Sequence, residues 1–322
     1  MGSFAAWRLS FALNASHSAE QHKLTVFGHY QPRLRQINQH GINLISLDKR
    51  RTCFNVLATS DIPRLPEIDI ALVFNKTYQL DRVAGEVHRS VKQHGLVICF
   101  QNGMGSDRLV REANPDKKIA AGVLFEGVTL DQAGDILHKG SGSTWLSLSP
   151  QTEAMYASIL SLLRLGGFDL RVQSDISSMQ WAKLAANAAI NPLTALTGAK
   201  NKQVAEHPLL RNIASAVAAE ITRVAELEQI RRDSEYLEHI LYVAMRTGEN
   251  TSSMLTDIRQ GRETEVQHIN GAIVKLGRKH KIQTPVNQML TELVEDYRNS
   301  PISLEILENH WQRLISNHTT QQ

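Results

Sequence analysis

The chain has 322 residues, with 42% hydrophobic and 21% charged side chains and a formal net charge of +3. That length suits two domains rather than one. The even charge mixture, without a dense Lys/Arg tract, excludes an electrostatic nucleic-acid binder, and no apolar run approaches the roughly 20 residues a membrane span needs. The N-terminus lacks a basic-then-apolar signal pattern, so a cytoplasmic protein is expected. Cys53 and Cys99 sit far apart in apolar runs. They suggest buried reduced thiols, with no metal site and no disulfide framework.

Residues 2–16 have small and apolar residues at helical spacing. KLTVFGH (23–29) and CFNVLAT (53–59) read as strands, and IDIALVF (68–74) as a fully buried one. VAGEVHRSVKQ follows as a helix, GLVICF (95–100) as a second buried strand, SDRLVREAN as a helix and KIAAGVLFEGVTL as strand again. This alternation predicts βαβ units and a parallel sheet. After FDLRV (168–172), every periodic segment is helical, from WAKLAANAAI to PVNQMLTELVEDYRNS. The predicted organisation is an α/β domain over 1–174 and an all-helical domain over 175–322, ending in a frayed SNHTTQQ tail.

An α/β domain of this kind should open with a buried strand and a Gly-rich turn; this chain opens in the helix. Gly2 reads as the third glycine of a G-x-G-x-M-G fingerprint. The expected fold is therefore Rossmann-type without its first strand and phosphate loop. The strands flanking that central place, at 23–28 and 68–74, would face each other unpaired. A start assigned at an internal Met, or a true truncation, would each produce such a chain.

Three groups of residues could carry chemistry. Lys183, Asn187 and Asn191 fall at i, i+4 and i+8 among small apolar residues, so one helix stripe presents an ammonium and two amides. A solvated polar face is the plain alternative, yet Asn is a poor choice inside an Ala-rich helix. NTSSMLTDI (250–258) leading to Arg262-Glu263-Thr264-Glu265 reads, alone, as a capped helix and a charged turn. Gln101-Asn102-Gly103-Met104-Gly105 follows a buried strand, at the edge where parallel sheets bind ligands; it could equally be a plain turn.

Taken together with FNKTYQ (74–79) and GDILHKGSG (134–142), the segments QNGMG (101–105), KLAANAAINPLTAL (183–196), NTSSMLTDI and TEVQHINGAI (264–273) resemble the ketopantoate reductase family. The resemblance spans nearly the whole chain in the expected order. It implies a Rossmann-type domain followed by a helical domain like that of 6-phosphogluconate-dehydrogenase relatives. It also implies NADPH-dependent reduction of 2-dehydropantoate to pantoate, on the path to pantothenate and coenzyme A. By that resemblance Lys183 is the catalytic lysine and Glu265 its acidic partner. Asn187, Asn191, Asn250 and Ser253 hold the substrate. Gly2, Lys76, Asn102 and Arg33 contact the cofactor, and Asn201 matches a further pocket asparagine.

His29 stands, with Arg33 close by, where an Arg for the NADP 2′-phosphate is frequent. No Asp or Glu follows that strand to favour NAD. Glu126 departs from the neutral or His residue expected there. Another 2-oxoacid as substrate, and a truncated non-catalytic relative, are the alternative readings. A homodimer is compatible with the sequence; nucleic-acid and membrane partners are not expected.

Overall fold

The computed structural model describes residues 1–16, 22–46, 48, 50–65, 67–231, 234–297 and 301–319. The chain forms two compact units, one of residues 1–101 with 105–176, the other of 102–104 with 177–322.

The first unit alternates helices and strands in chain order: α1 (Gly2–Ala15), β1 (Thr25–Phe27), α2 (Gln31–His40), β2 (Ile42–Ile45), β3 (Arg51–Phe54), β4 (Leu57–Thr59) and β5 (Ile68–Val73). It continues with α3 (Leu80–Ser90), β6 (Val91–Cys99), α4 (Ser106–Ala113), β7 (Lys118–Leu124), β8 (Gly127–Leu130), β9 (Ile136–Gly140), β10 (Ser143–Ser147), α5 (Pro150–Met155), α6 (Ala157–Leu165) and β11 (Asp169–Gln173).

Its largest sheet has the order β11-β10-β7-β6-β5, parallel except where β10 meets β7. Leu96, Val97, Ile98 and Cys99 of β6 are all buried, as a strand covered on both faces requires. α3 buries Leu80, Val83, Ala84 and Val87, one helical stripe. β1 and β4 form a separate parallel pair. Among the described residues β1 pairs only with β4, and β5 only with β6.

Several details differ from expectation. β5 is not fully buried: among the described residues it is the edge strand of its sheet, and only Val73 of its six residues is buried. The stretch 53–59 is two strands, because the chain leaves the sheet at Asn55-Val56: β3 pairs antiparallel with β2, while β4 pairs with β1. α2 and β2 went unpredicted, since α2 buries only Leu34 and Ile37 and β2 is four residues long. Cys53 is exposed rather than buried, because β3 is the outer strand of the β3-β2-β9-β8 sheet. Cys99 is buried as expected, and burial pushes its thiol up to about 12.

The second unit is helical: α7 (Ser177–Thr197), α8 (Gln203–Glu206), α9 (Pro208–Leu227), α10 (Tyr236–Arg246), α11 (Ser253–Arg259), α12 (Val266–Lys279), α13 (Pro285–Asp296) and α14 (Leu304–Thr319). α7 is its axis. Trp181, Leu184, Ala185, Ala188, Ala189 and Leu193 are buried, and α9 to α13 all pack on it. The small Ala side chains let these helices approach from several sides. Part of the expected C-terminal tail is helix, as α14 runs to Thr319; residues 320–322 lie outside the described residues. No helix among the described residues is long and apolar enough to cross a membrane.

Candidate active site

In the second unit, the stripe on α7 takes the form its spacing predicts. Lys183, Asn187 and Asn191 occupy successive turns of one helix. Burial lowers the Lys183 ammonium to about 8, while the Glu265 charge acts to raise it. Lys183 as a whole keeps intermediate exposure, so the shift reflects what surrounds its amine rather than complete enclosure. Asn191 is only 5% exposed, and neither it nor Asn187 makes a side-chain hydrogen bond among the described residues. Both amides are therefore free to bond a ligand.

Glu265 is 4% exposed and stands at the N-cap of α12. Asn102 Nδ2 donates to Glu265 Oε2 at 3.2 Å. The 102–104 turn thus belongs with the helical unit rather than with the strand it follows. Gly103 makes this docking feasible: its φ is +88°, and a Cβ there would lie 2.2 Å from the His268 carbonyl oxygen.

The 250–253 segment is tied to the far end of the same stripe. Thr194, one turn beyond Asn191, donates from Oγ1 to Ser252 Oγ at 2.7 Å. Ser252 Oγ in turn accepts from Leu255 N, capping α11. Ser253 is exposed at the first position of α11, and the Asn250 carbonyl accepts from Asn201 N at 3.3 Å. Asn201 Nδ2 donates to Thr247 Oγ1 at 2.9 Å, so Asn201 anchors this loop. Ser252 and Thr194 escaped the sequence reading. Their signal was present, as the first serine of a Ser-Ser pair before a helix is the natural cap.

In the first unit, Gly2, Lys76 and Arg33 collect at the start of α1 and the carboxyl end of β5. A Cβ on Gly2 would touch Phe74, and Lys76 caps the turn after that strand. Arg33 Nε donates weakly to Ser3 Oγ at 3.4 Å, and both Arg33 and Lys76 act electrostatically on the Met1 amino group. Arg33 Nη1 donates to the Gly134 carbonyl at 2.5 Å, while Nη2 is buried with no partner among the described residues. The first turn of α1 has no acidic residue and no side-chain cap.

Arg33 and His29 are thus held by different partners. His29 Nε2 lies 2.5 Å from Glu86 Oε1, beside Arg82 at 3.6 Å. A carboxylate does stand at the end of β1. It comes from α3, through folding, where the sequence after the strand showed none. This group borders a cavity of about 990 Å³ that Phe27, Ser60, Asp61 and Arg89 also line.

Glu126, unexpected from sequence, has a structural purpose. Its carboxylate meets Arg8 Nη1 at 3.2 Å and His138 Nε2 at 2.8 Å, and all three side chains are nearly buried. Arg8 also lies over the Phe4 and Phe168 rings. Its pKa is lowered by burial, against the opposing pull of Glu126.

Comparison with known proteins agrees with this architecture. A family model described as ketopantoate reductase PanE/ApbA matches residues 1–151, and the model of its C-terminal part matches 175–298. The 2-dehydropantoate 2-reductase of Archaeoglobus fulgidus is 34% identical over 229 residues, 71% of this chain and 76% of that protein. The enzyme of the same name from Halobacterium salinarum is 28% identical over 272 residues, 84% of this chain and 89% of that one.

Among solved structures, a PanE/ApbA family ketopantoate reductase from Ralstonia eutropha JMP134 aligns with a TM-score of 0.81 at 22% identity, covering 91% of this chain and 94% of that one. D-mandelate dehydrogenase with NADH and anilino(oxo)acetate aligns with a TM-score of 0.80 at 22% identity, covering 90% and 94%. At these identities the structural likeness speaks to the fold.

Proposed function

The chain belongs to the ketopantoate reductase family, and we propose that it reduces 2-dehydropantoate to pantoate with NADPH, using Lys183 as the proton donor. The observation that carries this reading is the α7 stripe of Lys183 and two unpartnered amides, with Glu265 of the α12 N-cap acting on the Lys183 ammonium. Reduction of a ketone places negative charge on its oxygen. A cation beside that oxygen stabilises the charge and can deliver a proton. Lys183, lowered to about 8, is still mostly protonated at neutral pH and gives up its proton more readily than an ordinary lysine.

Glu265 holds the ammonium and is itself oriented by Asn102. Asn187 and Asn191 offer amide groups to the oxygens of a small oxoacid. Asn250, in the loop before α11, and the exposed Ser253 at its first position suit its carboxylate as hydrogen-bond donors.

A bound nicotinamide cofactor supplies the hydride. The residues present fit such a group. The start of α1 lacks acidic side chains and is flanked by Lys76 and Arg33, whose buried Nη2 is left without a partner. For the 2′-phosphate of NADPH, Arg82 and Arg89 provide positive groups near Glu86. A second reading, NADH use, has one observation in its favour: Glu86 is a carboxylate able to accept from ribose hydroxyls.

The test is cofactor oxidation by the purified chain with 2-dehydropantoate and a panel of 2-oxoacids, with both cofactors. The proposal predicts the highest kcat/KM for 2-dehydropantoate with NADPH. A tenfold or larger preference for another oxoacid would move the substrate assignment, and a preference for NADH would decide for the second reading.

A further inference from the structure

Pro192 lies inside α7. Proline has no N–H, so the carbonyl four residues earlier loses its helical partner. That carbonyl belongs to Ala188, which is fully buried. A donor from another helix takes the vacant place: Asn270 Nδ2, in α12, lies 2.8 Å from the Ala188 oxygen. The same NH₂ group donates to Asn287 Oδ1 at 3.0 Å, and Asn287 donates from its backbone N and its Nδ2 to Glu220 Oε2, at 3.0 and 2.7 Å. Asn270 and Asn287 are both 0% exposed. The orientation of the Asn270 amide is forced, because both of its partners are acceptors. Its own Oδ1 is left without a partner among the described residues.

We propose that Asn270 is a positioning residue: through the carbonyl that Pro192 orphans, it fixes the Glu265 end of α12 against the Lys183–Asn191 stretch of α7. This rests on the roles assigned above to Lys183 and Glu265. Glu265 precedes Asn270 by five residues, little more than one helical turn, so a rigid α12 carries any shift at Asn270 to Glu265. Ala188 adjoins Asn187 and lies a little over one turn beyond Lys183. The bond therefore joins the two helices at the level of the proposed chemistry. An alanine at 192 would restore the helical N–H and relieve Asn270 of its task.

The experiment compares wild type, Asn270→Ala, Pro192→Ala and the double variant of the full chain. It measures kcat and KM for the oxoacid, and the titration of Lys183 by NMR with isotopically labelled lysine. Asn270→Ala is expected to lower kcat about tenfold with KM changed less than about twofold, since misplacement by a fraction of an ångström to one ångström is costly in rate. Lys183 should titrate below its wild-type value as the Glu265 charge retreats. In the Pro192→Ala background the further loss in kcat should shrink below about threefold. Asn270→Asp, of the same shape but without the NH₂ donor, should behave like Asn270→Ala.

Equal kcat losses in both backgrounds would overturn the proposal. So would an Asn270→Asp variant with full kcat, or an unmoved Lys183 titration in Asn270→Ala. If Pro192→Ala does not fold, Asn270→Asp and the Lys183 titration decide the matter. If the wild-type chain reduces no oxoacid, the functional reading fails, while the Lys183 titration still tests the positioning.

Discussion

Asn102 Nδ2 lies 3.2 Å from Glu265 Oε2, a contact between residues 163 positions apart in the sequence. It depends on Gly103, whose positive φ and 2.2 Å approach to the His268 carbonyl leave no room for a Cβ. Gly103→Ala is expected to push the 102–104 turn off α12 and lower kcat at least tenfold, because Asn102 then no longer orients Glu265. Steady-state kinetics with a circular-dichroism check of folding would measure this. An active, folded Gly103→Ala enzyme would show that the turn does not need this docking.

The pH dependence follows from Lys183. Its ammonium is the form that donates a proton, and its pKa is lowered to about 8. Oxoacid reduction should therefore lose rate as pH rises through about 8. Glu265 raises the Lys183 pKa, so Glu265→Gln should move this limb to lower pH. A pH profile of kcat for both enzymes gives the answer, and a limb that stays in place or moves upward would contradict the pairing.

Two adjacent serines should separate by role. Ser252 is buried, caps α11 and meets Thr194, so Ser252→Ala should cost about 1 kcal/mol of stability. Ser253 is exposed, with no side-chain hydrogen bond among the described residues, so Ser253→Ala should leave stability unchanged and raise KM for the oxoacid. Urea melts and substrate titrations of the two variants would reveal the split. An unchanged KM in Ser253→Ala would remove that residue from the substrate site.

The Arg8–Glu126–His138 cluster should matter to stability. Glu126→Ala leaves the nearly buried Arg8 without its carboxylate, an uncompensated charge worth ~3–5 kcal/mol. The urea midpoint should fall accordingly. A loss near that of an exposed ion pair, below about 1 kcal/mol, would mean that Arg8 relaxes toward solvent instead.

What the sequence disclosed was whatever depends on local periodicity. The buried run of β6 and the i, i+4, i+8 stripe on α7 appear where their spacing put them, whereas in β5 only Val73 is buried. The polar helix α2 was illegible because Leu34 and Ile37 alone give its buried face. The break at Asn55-Val56 was hidden because Cys53 to Thr59 reads as one continuous strand-like run, and only the change of pairing partner marks it. Glu86 beside His29, and Glu126 beside Arg8, are tertiary pairings with no local signature. Asn270 lay within a segment already singled out for its family resemblance. Its task emerges only once Pro192 is seen inside a helix and the carbonyl four residues before it needs a donor.

The central claim is that Lys183 is the proton donor of an oxoacid reductase. The most direct measurement is kcat of Lys183→Ala with 2-dehydropantoate and NADPH, alongside NADPH affinity by fluorescence titration. Loss of a general acid should reduce kcat by ~10²–10⁴ while NADPH affinity stays within about twofold of wild type. A kcat reduced less than about tenfold would contradict the assignment.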